Sequence, residues 1–382
     1  MAHPRLFTPL ELGGITLPNR IVVSPMCQYQ ADDGCMNDWH LIHLGHLAYS
    51  GAGLLVVEAT HVTREGRITH NCVGLYNEHN EAAMKRVIDA VRRLRKAPIG
   101  IQLAHAGRKG SSQVPWEGRS ALGPSESPWQ TVAPSAIPFA DGWHTPHELS
   151  VQEIRGVVDA FAAAAARALR IGFDALELHS AHGYLLHEFL SPLANRRGDA
   201  YGRERMKFPL EVAAAVREVW PRERALGARI SGNDFAEGGL GPDDAVAYAR
   251  ALERAGFDYV CVSGGNIVGN QKIPAAPGFQ VPFAEKVKKA TGLKVRAVGM
   301  IADADQAEEI VASGKADMVA MARAFLDNPR WVWHAAERFG VKVDYPPMYA
   351  RSHPDTWPGA RLARPAQWNP TSARSKASSA SS

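Results

Sequence analysis

"LRIGFDALELHSAHGYLLHEF", residues 169–189, passes from a helical pattern through a short apolar run into a cluster of polar side chains. Its first residues close the stretch "VQEIRGVVDAFAAAAARALRIG" (151–172), which opens after Ser150 with Glu153 three residues on, the spacing of a capping box. "DALELHS" (174–180) then reads as a strand buried on both faces, because its apolarity is nearly continuous over a strand's length. His179, His182 and Tyr184 follow where that run gives out. By residue type they are metal ligands, packing residues, or hydrogen-bond and proton donors aimed at one substrate.

The same unit recurs along the chain. Runs of this kind are "IVVSPM" (21–26), "LLVVEA" (54–59), "IGIQLAHAG" (99–107), "DALELHS" (174–180), "ARISGND" (228–234), "YVCVSGG" (259–265), "VRAVGMI" (295–301) and "DMVAMARA" (317–324). Helical patterns lie between them: "WHLIHLGHLAYSGA", "EAAMKRVIDAVRRLRKA", the 151–172 stretch, "FPLEVAAAVREVW", "DDAVAYARALERAG", "PFAEKVKKATG" and "DADQAEEIVASG". Such alternation predicts an α/β fold with a parallel sheet, and eight units favour closure into a (β/α)8 TIM barrel over an open doubly wound sheet. Residues 108–149, rich in Pro, Ser and Gly and carrying Trp116, Trp129 and Trp143, interrupt the pattern after the third strand. An insertion of that length predicts a lid or small cap beside the site. The barrel is expected to span 1–358 as one domain, with a disordered Ala/Ser/Arg-rich tail over 359–382.

With 46% hydrophobic and 21% charged residues, the 382-residue chain has globular composition and length for a large core. The net charge of +4 equals the contribution of Arg361, Arg364, Arg374 and Lys376 at the C-terminal end, so the body is neutral. A neutral body argues against nucleic-acid or anionic-membrane partners, which need clustered cations. No apolar run approaches the ~20 residues of a membrane span. "MAHPRLFTPLELGG" has no apolar signal region, and Cys27, Cys35, Cys72 and Cys261 are scattered without a CxxC pair. These features predict a cytoplasmic protein with free thiols.

Barrel chemistry sits at the C-terminal strand ends. Polar groups collect there: Cys27 to Tyr29, Gln102 to His105, His179 to Tyr184, Arg229 to Asn233, and Arg323. The ends of strands 7 and 8, "VGM" and "MARAFLDNP", predict a phosphate site and hence a phosphorylated ligand. "GAGLLV" (51–56) lacks the last glycine of a dinucleotide fingerprint, and "SGKAD" lacks the rest of a P-loop. A nicotinamide is therefore expected to visit and leave. A metal at His179/His182 needs further ligands, for which His105 and Asp234 are the candidates, with no acidic cluster in support. The row His40, His43 and His46 reads as surface or interface packing on an outer helix, and Lys109 as a solvated charge.

"SPMCQY", "GRITHNCVGLY", "IQLAHAGRKG" and "ELHSAHGYLLHEFLSPLANRR", in this order, resemble the old yellow enzyme family of FMN-dependent ene-reductases. The Cys–Tyr pair of "SPMCQY" resembles its xenobiotic-reductase, or thermophilic-like, subclass. The resemblance runs from about residue 5 to 350, and its fold agrees with the strand count. It implies that His179 and His182 hydrogen-bond the substrate's carbonyl oxygen and that Tyr184 donates the proton. It further implies that Cys27 sits near the reactive flavin nitrogen and that Tyr29 contacts substrate. Pro25, Met26, Ala59, Gln102, Arg229, Gly299 and Arg323 match FMN contacts. Arg351 resembles an arginine that crosses a dimer interface into the neighbouring site. Three positions depart from the family pattern. Ala322 stands where glycine is usual before the strand-8 arginine, "RGD" (197–199) replaces "RTD", and the loop "DAYGRERMKF" is shorter.

The expected function is reduction of activated C=C bonds in α,β-unsaturated carbonyl or nitro compounds by a ping-pong cycle. FMN is resident, NADPH or NADH visits, electrophilic alkenes are the substrates, and the oligomer is a homodimer or homotetramer. A metal-dependent barrel hydrolase and a non-catalytic flavin redox sensor built on Cys27 are the alternatives.

Overall fold

In the computed structural model, which describes residues 3–94 and 96–363, every one of the eight apolar runs contributes a strand. They are β1 (Ile21–Val23), β2 (Leu54–His61), β3 (Ile99–Ala104), β4 (Ala175–Ser180), β5 (Ala225–Ser231), β6 (Tyr259–Ser263), β7 (Lys294–Ala297) and β8 (Met318–Met321). The strands pair in parallel in chain order, and β8 pairs with β1, so the sheet is a closed barrel with no free edge. The open-sheet alternative is thereby excluded.

The outer ring contains α1 (Asp38–Ala48), α2 (Glu78–Leu94), α3 (Val151–Ile171), α4 (Lys207–Val219), α5 (Pro242–Arg254), α6 (Val281–Ala290), α7 (Ala304–Ala312) and α8 (Trp331–Phe339). The capping box at α3 forms as its spacing predicts, with the Ser150 side chain accepting from the Glu153 amide and Glu153 from the Ser150 amide. α8 has no counterpart among the helical patterns read above. A hairpin of Leu10–Leu12 and Ile15–Leu17, joined by Gly13 and Gly14, was also not anticipated. Gly13 has φ +56°, which suits the tight two-residue turn.

Strand alternation sorts the side chains. Leu176 and Leu178 of β4 pack outward against the helices, while Ala175 joins Val22, Leu54, Ala225 and Tyr259 in a separate apolar cluster inside the barrel. Leu10, Leu12 and Leu17 of the hairpin belong to that inner cluster and close it from below. Above it lies a polar layer. Glu177 accepts from Gln102 at 2.8 Å and pairs with Arg296, and both charged residues have zero exposure. The Arg296 guanidinium lies 5.3 Å from the Tyr259 ring centre. Gly227 makes room for that ring, since a Cβ there would stand 2.3 Å from it. The next inward positions up β4 and β5 are His179 and Arg229.

The insertion 108–149 contains a two-residue pairing of Val132–Ala133 with His147–Glu148 and is pinned to the strand-end loops. Trp129 donates to the Glu65 carbonyl beyond β2, and Arg108 donates to the Ile267 carbonyl beyond β6. Arg197, beyond β4, donates to the carbonyls of Pro134 and Leu149. Ala360–Ala363 forms a helical turn at the start of the stretch expected as a tail, and residues 364–382 lie outside the described residues.

Removing one partner of the interior pair leaves a buried charge uncompensated. Glu177→Leu is expected to cost about 3–5 kcal/mol in urea unfolding. A loss below about 1 kcal/mol, the range of an exposed pair, would show that the layer is hydrated.

Candidate active site

A cleft of about 700 Å³ opens at the C-terminal ends of β1 and β5–β8, bordered by Ser24, His182, Arg229, Gln280, Gly299 and Arg323. Its volume lies within the roughly 300–1,000 Å³ typical of ligand sites. Beside it, Cys27, Tyr29 and Tyr184 pack on Ile68, Cys72 and Ala106. Non-glycine residues of this end adopt left-handed backbone, among them Tyr29 (φ 53°), His182 (60°), Asn266 (69°) and Met300 (51°). Such conformations cost of order 1–3 kcal/mol each and concentrate at functional sites.

The structure brings the β4 triplet together. His179 lies 5.1 Å from His182 and 4.9 Å from Tyr184 between ring centres, each edge to face. The His179 Nδ1 accepts the Ala181 amide at 3.3 Å, so the ring proton is on Nε2. His182 Nε2 is 2.8 Å from the Ser263 hydroxyl, which also receives Arg229 Nη2 at 3.4 Å. Burial, and then the Arg229 cation, hold both histidines well below the usual imidazole range. Both rings are neutral near pH 7, each with one N–H to donate.

Burial likewise holds the Tyr184 phenol far above its ordinary range, with Cys27 adding to it. Cys27 itself is pushed well up by burial and by Glu58. It is therefore a thiol, not the thiolate that redox sensing requires. Ala59 and Gln102 are buried in β2 and β3, and Gln102 spends its amide on Glu177. Pro25 and Met26 line the half-buried segment after β1, and Arg323 is exposed at the cleft beside Ala322. Arg351 lies apart from this constellation, exposed in the turn Pro347–Ser352.

Two expectations are corrected. Lys109 is not a solvated charge. Its Nζ donates to the His182 carbonyl at 2.9 Å and the Asn266 carbonyl at 3.1 Å, and stands 5.0 Å from the Tyr184 ring centre. Burial lowers it to about 7, against the pull of Glu188. His40 does not face outward with exposed His46. It is buried against β2, its Nδ1 closing the cap at Asn37 and its Nε2 3.6 Å from Glu58.

Glu58 was missed as well. A register shift between Val57 and Ala59 turns Ala59 to the Gln102 side and sends Glu58 outward, where it accepts the Gln28 amide at 3.0 Å. Burial raises Glu58 to about 8 and lowers His40 to about 4, so the contact joins two neutral groups rather than an ion pair. The sequence signal was present: an acid inside an otherwise apolar strand. Asp234 contacts His187 rather than His179 or His182, and among the described residues no group of three His, Cys, Asp or Glu can hold a metal ion.

The cleft suits a flavin phosphate. Arg229 and Arg323 supply two cations, Arg229 Nε has no partner among the described residues, and at Gly299 (φ 110°) a side chain would be strained, its Cβ 3.1 Å from Gln280. Barrel and cleft define the class, a flavin-binding (β/α)8 oxidoreductase. The chain matches, over residues 5–340, the family described as NADH:flavin oxidoreductase / NADH oxidase, and it belongs to that family. It is 43% identical over 351 residues to the NADPH dehydrogenase of Geobacillus thermodenitrificans, covering 91% of this chain and 98% of that protein. It is 40% identical over 353 residues to that of Listeria innocua, covering 91% and 99%. Among solved structures it resembles morphinone reductase in complex with tetrahydroNAD, with TM-score 0.73, 31% identity, and coverage of 91% and 94%. The protein is an FMN-dependent, NAD(P)H-consuming oxidoreductase of the old yellow enzyme family.

Two outcomes follow from these electrostatics. His40, His43 and His105 are lowered to about 4 and His61 to about 3, mainly by burial, from 6.5. As pH falls through 6.5 the unfolded chain takes up protons that the fold refuses, so stability is lost between pH 6.5 and about 4. Glu58 and Glu188, raised to about 8 by burial, act oppositely from 4.5 upward but are only two groups. Thermal midpoints should therefore drop from pH 6.5 to about 5, and a flat profile would contradict the assignment. Glu58→Gln, which keeps an acceptor for Gln28, should retain flavin. Glu58→Leu should bind it about tenfold more weakly, the ~1.4 kcal/mol scale of one lost buried hydrogen bond. Equal flavin affinity in the two variants would remove Glu58 from the site.

Proposed function

We propose that this chain reduces the C=C bond of α,β-unsaturated carbonyl or nitro compounds, with His179 and His182 binding the substrate oxygen and Tyr184 supplying the proton. The observation that carries the reading is two neutral imidazoles and a phenol at the end of one strand, beside a cleft fitted to FMN. Pro25, Met26, Cys27, Ala59, Gln102, Arg229, Gly299 and Arg323 would hold the flavin. Bound FMN would supply the redox chemistry, hydride transfer from NAD(P)H to the substrate β-carbon in a ping-pong cycle.

The chain's own residues manage the charge that this addition creates. Negative charge gathers on the substrate oxygen, so donors aimed there bind the transition state more tightly than the ground state. His179 presents Nε2–H. The Ser263 hydroxyl has one proton, which it donates to Gln280 Oε1 at 3.3 Å, so at 2.8 Å it accepts from His182 Nε2–H. That Nε2–H is the donor a substrate oxygen would recruit in place of Ser263. Tyr184, held protonated by burial, is the acid for the α-carbon. Lys109 steadies the turn that carries both groups, through the His182 carbonyl. Tyr29 closes the substrate side, its ring 6.0 Å from that of Trp116. Arg351 is suited to a role across an interface, as the exposed arginine of a C-terminal turn in a homodimer or homotetramer. Ala322 borders the cleft beside Arg323, and Ala322→Gly is expected to tighten FMN, read as a lower dissociation constant in flavin titration.

The test is anaerobic turnover of FMN-loaded protein with NADPH and 2-cyclohexenone. Each lost oxyanion donor costs roughly 10²–10³ in rate, so replacing both histidines with alanine should nearly abolish enone reduction while the flavin stays bound. Tyr184→Phe should slow reoxidation by the enone about 10²-fold with reduction by NADPH little changed. Full flavin occupancy with turnover within about tenfold of wild type in the double variant would refute the roles given to the histidines.

A further inference from the structure

We infer that His187, oriented by Asp234, is a positioning residue that locks the His182–Gly183 turn and so aims His182 and Tyr184; the inference rests on the functional reading above. The turn is conformationally demanding, with His182 at φ 60° and Gly183 at φ 71° in succession. Gly183 lies so close to the loop after β6 that a Cβ would stand 2.2 Å from the Asn266 carbonyl. The Gly183 amide donates to His187 Nδ1, on the short helix Leu185–Leu190, at 2.8 Å.

That contact fixes the state of the ring. A backbone amide can only donate, so Nδ1 is bare and the imidazole proton is on Nε2. Nε2 faces Asp234 Oδ1 at 2.9 Å, close but off the ring's N–H axis, and both residues have zero exposure. The other Asp234 oxygen is held by two donors, the Ser191 hydroxyl and the Leu240 amide, each at 2.8 Å. Burial pushes the Asp234 carboxyl up, but the His187 ring first, then the Leu240 and Ser191 donors, keep it below its usual range. Packing alone does not set the ring. A cavity of about 190 Å³, bordered by Ser231 and Tyr248, opens beside it, and Ser231 is too distant, at 3.5 Å, to take the place of Gly183. The arrangement is that of a ligand histidine held in one tautomer by an acidic partner, with a backbone amide in place of a metal.

A swap that preserves shape separates positioning from packing. In Asp234→Asn the amide oxygen must stay toward Ser191 and Leu240, which both donate. Its NH2 then faces His187 Nε2 and draws the ring proton to Nδ1, against the Gly183 amide. His187→Asn keeps an oxygen near the Nδ1 position, whereas His187→Leu offers none. Where an imidazole acts directly, imposing the wrong tautomer with the geometry intact costs up to about 10⁴ in rate. His187 acts at one remove, so we expect about 10- to 10²-fold.

The experiment uses FMN-loaded full-length protein, with a para-substituted phenol as a probe of the oxygen site, read by its long-wavelength absorbance over oxidised flavin. Enone reoxidation is measured in parallel. Asp234→Asn and His187→Leu should each weaken the phenol and slow reoxidation by at least about tenfold. Flavin content and thermal midpoint of Asp234→Asn should stay near wild type, and His187→Asn should recover most of what His187→Leu loses. If His187→Leu does not fold, Asp234→Asn and His187→Asn still decide. Asp234→Asn indistinguishable from wild type, or His187→Asn poorer than Asp234→Asn, would overturn the inference alone. Wild-type protein that holds FMN yet binds no phenol and reduces no enone would overturn the functional reading, and this inference with it.

Discussion

Beyond the last residue of β4 the chain places His182 and Gly183 in left-handed conformations one after the other. For the non-glycine residue this costs of order 1–3 kcal/mol and persists only where its surroundings over-determine it. Here the surroundings come from four directions. Lys109 grips the His182 carbonyl, Ser263 meets its ring, His187 takes the Gly183 amide, and the His105 carbonyl receives the Leu185 amide. Those partners come from the segment after β3, from β6, and from the short helix Leu185–Leu190. The turn is thus a junction on which the barrel converges.

Beneath it the barrel interior graduates from apolar to ionised. The lower cluster is sealed by the N-terminal hairpin, and the layer above holds the Glu177–Arg296 pair with Gln102. Gln102 thereby ties a site position to the buried pair. At the mouth the balance turns positive, with Arg229 and Arg323 bordering the cleft. Glu58 and Glu188, the nearby acids, are held toward their neutral forms by burial. A phosphate and a substrate oxygen gathering negative charge both favour that field.

Much of this was readable in the chain. Strands buried on both faces have to be continuously apolar, so all eight could be found, and a polar residue ending such a run marks a barrel mouth. The hairpin was not legible because its strands are three residues long and alternate without a run. α8 escaped because it follows the short helix Arg323–Asp327 rather than a strand directly. Lys109, Glu58 and His40 were misjudged or missed because their roles depend on partners distant in sequence: Asn266 for Lys109, Gln28 for Glu58, and β2 for His40. His187 lay inside the most informative motif, but a histidine on an apolar helical turn says nothing of a Gly183 amide folded back upon it.

The central claim is that His179 and His182 are uncharged donors held in fixed tautomers. Nitrogen-15 NMR of the imidazoles in FMN-loaded protein, assigned with single His→Asn variants and titrated between about pH 5.5 and 8, tests it most directly. Neutral rings are expected throughout, with the His179 and His182 protons both on Nε2, and shifts confined to those N–H groups when a phenol binds. Titration of either ring to imidazolium near its ordinary value of 6.5 would contradict it.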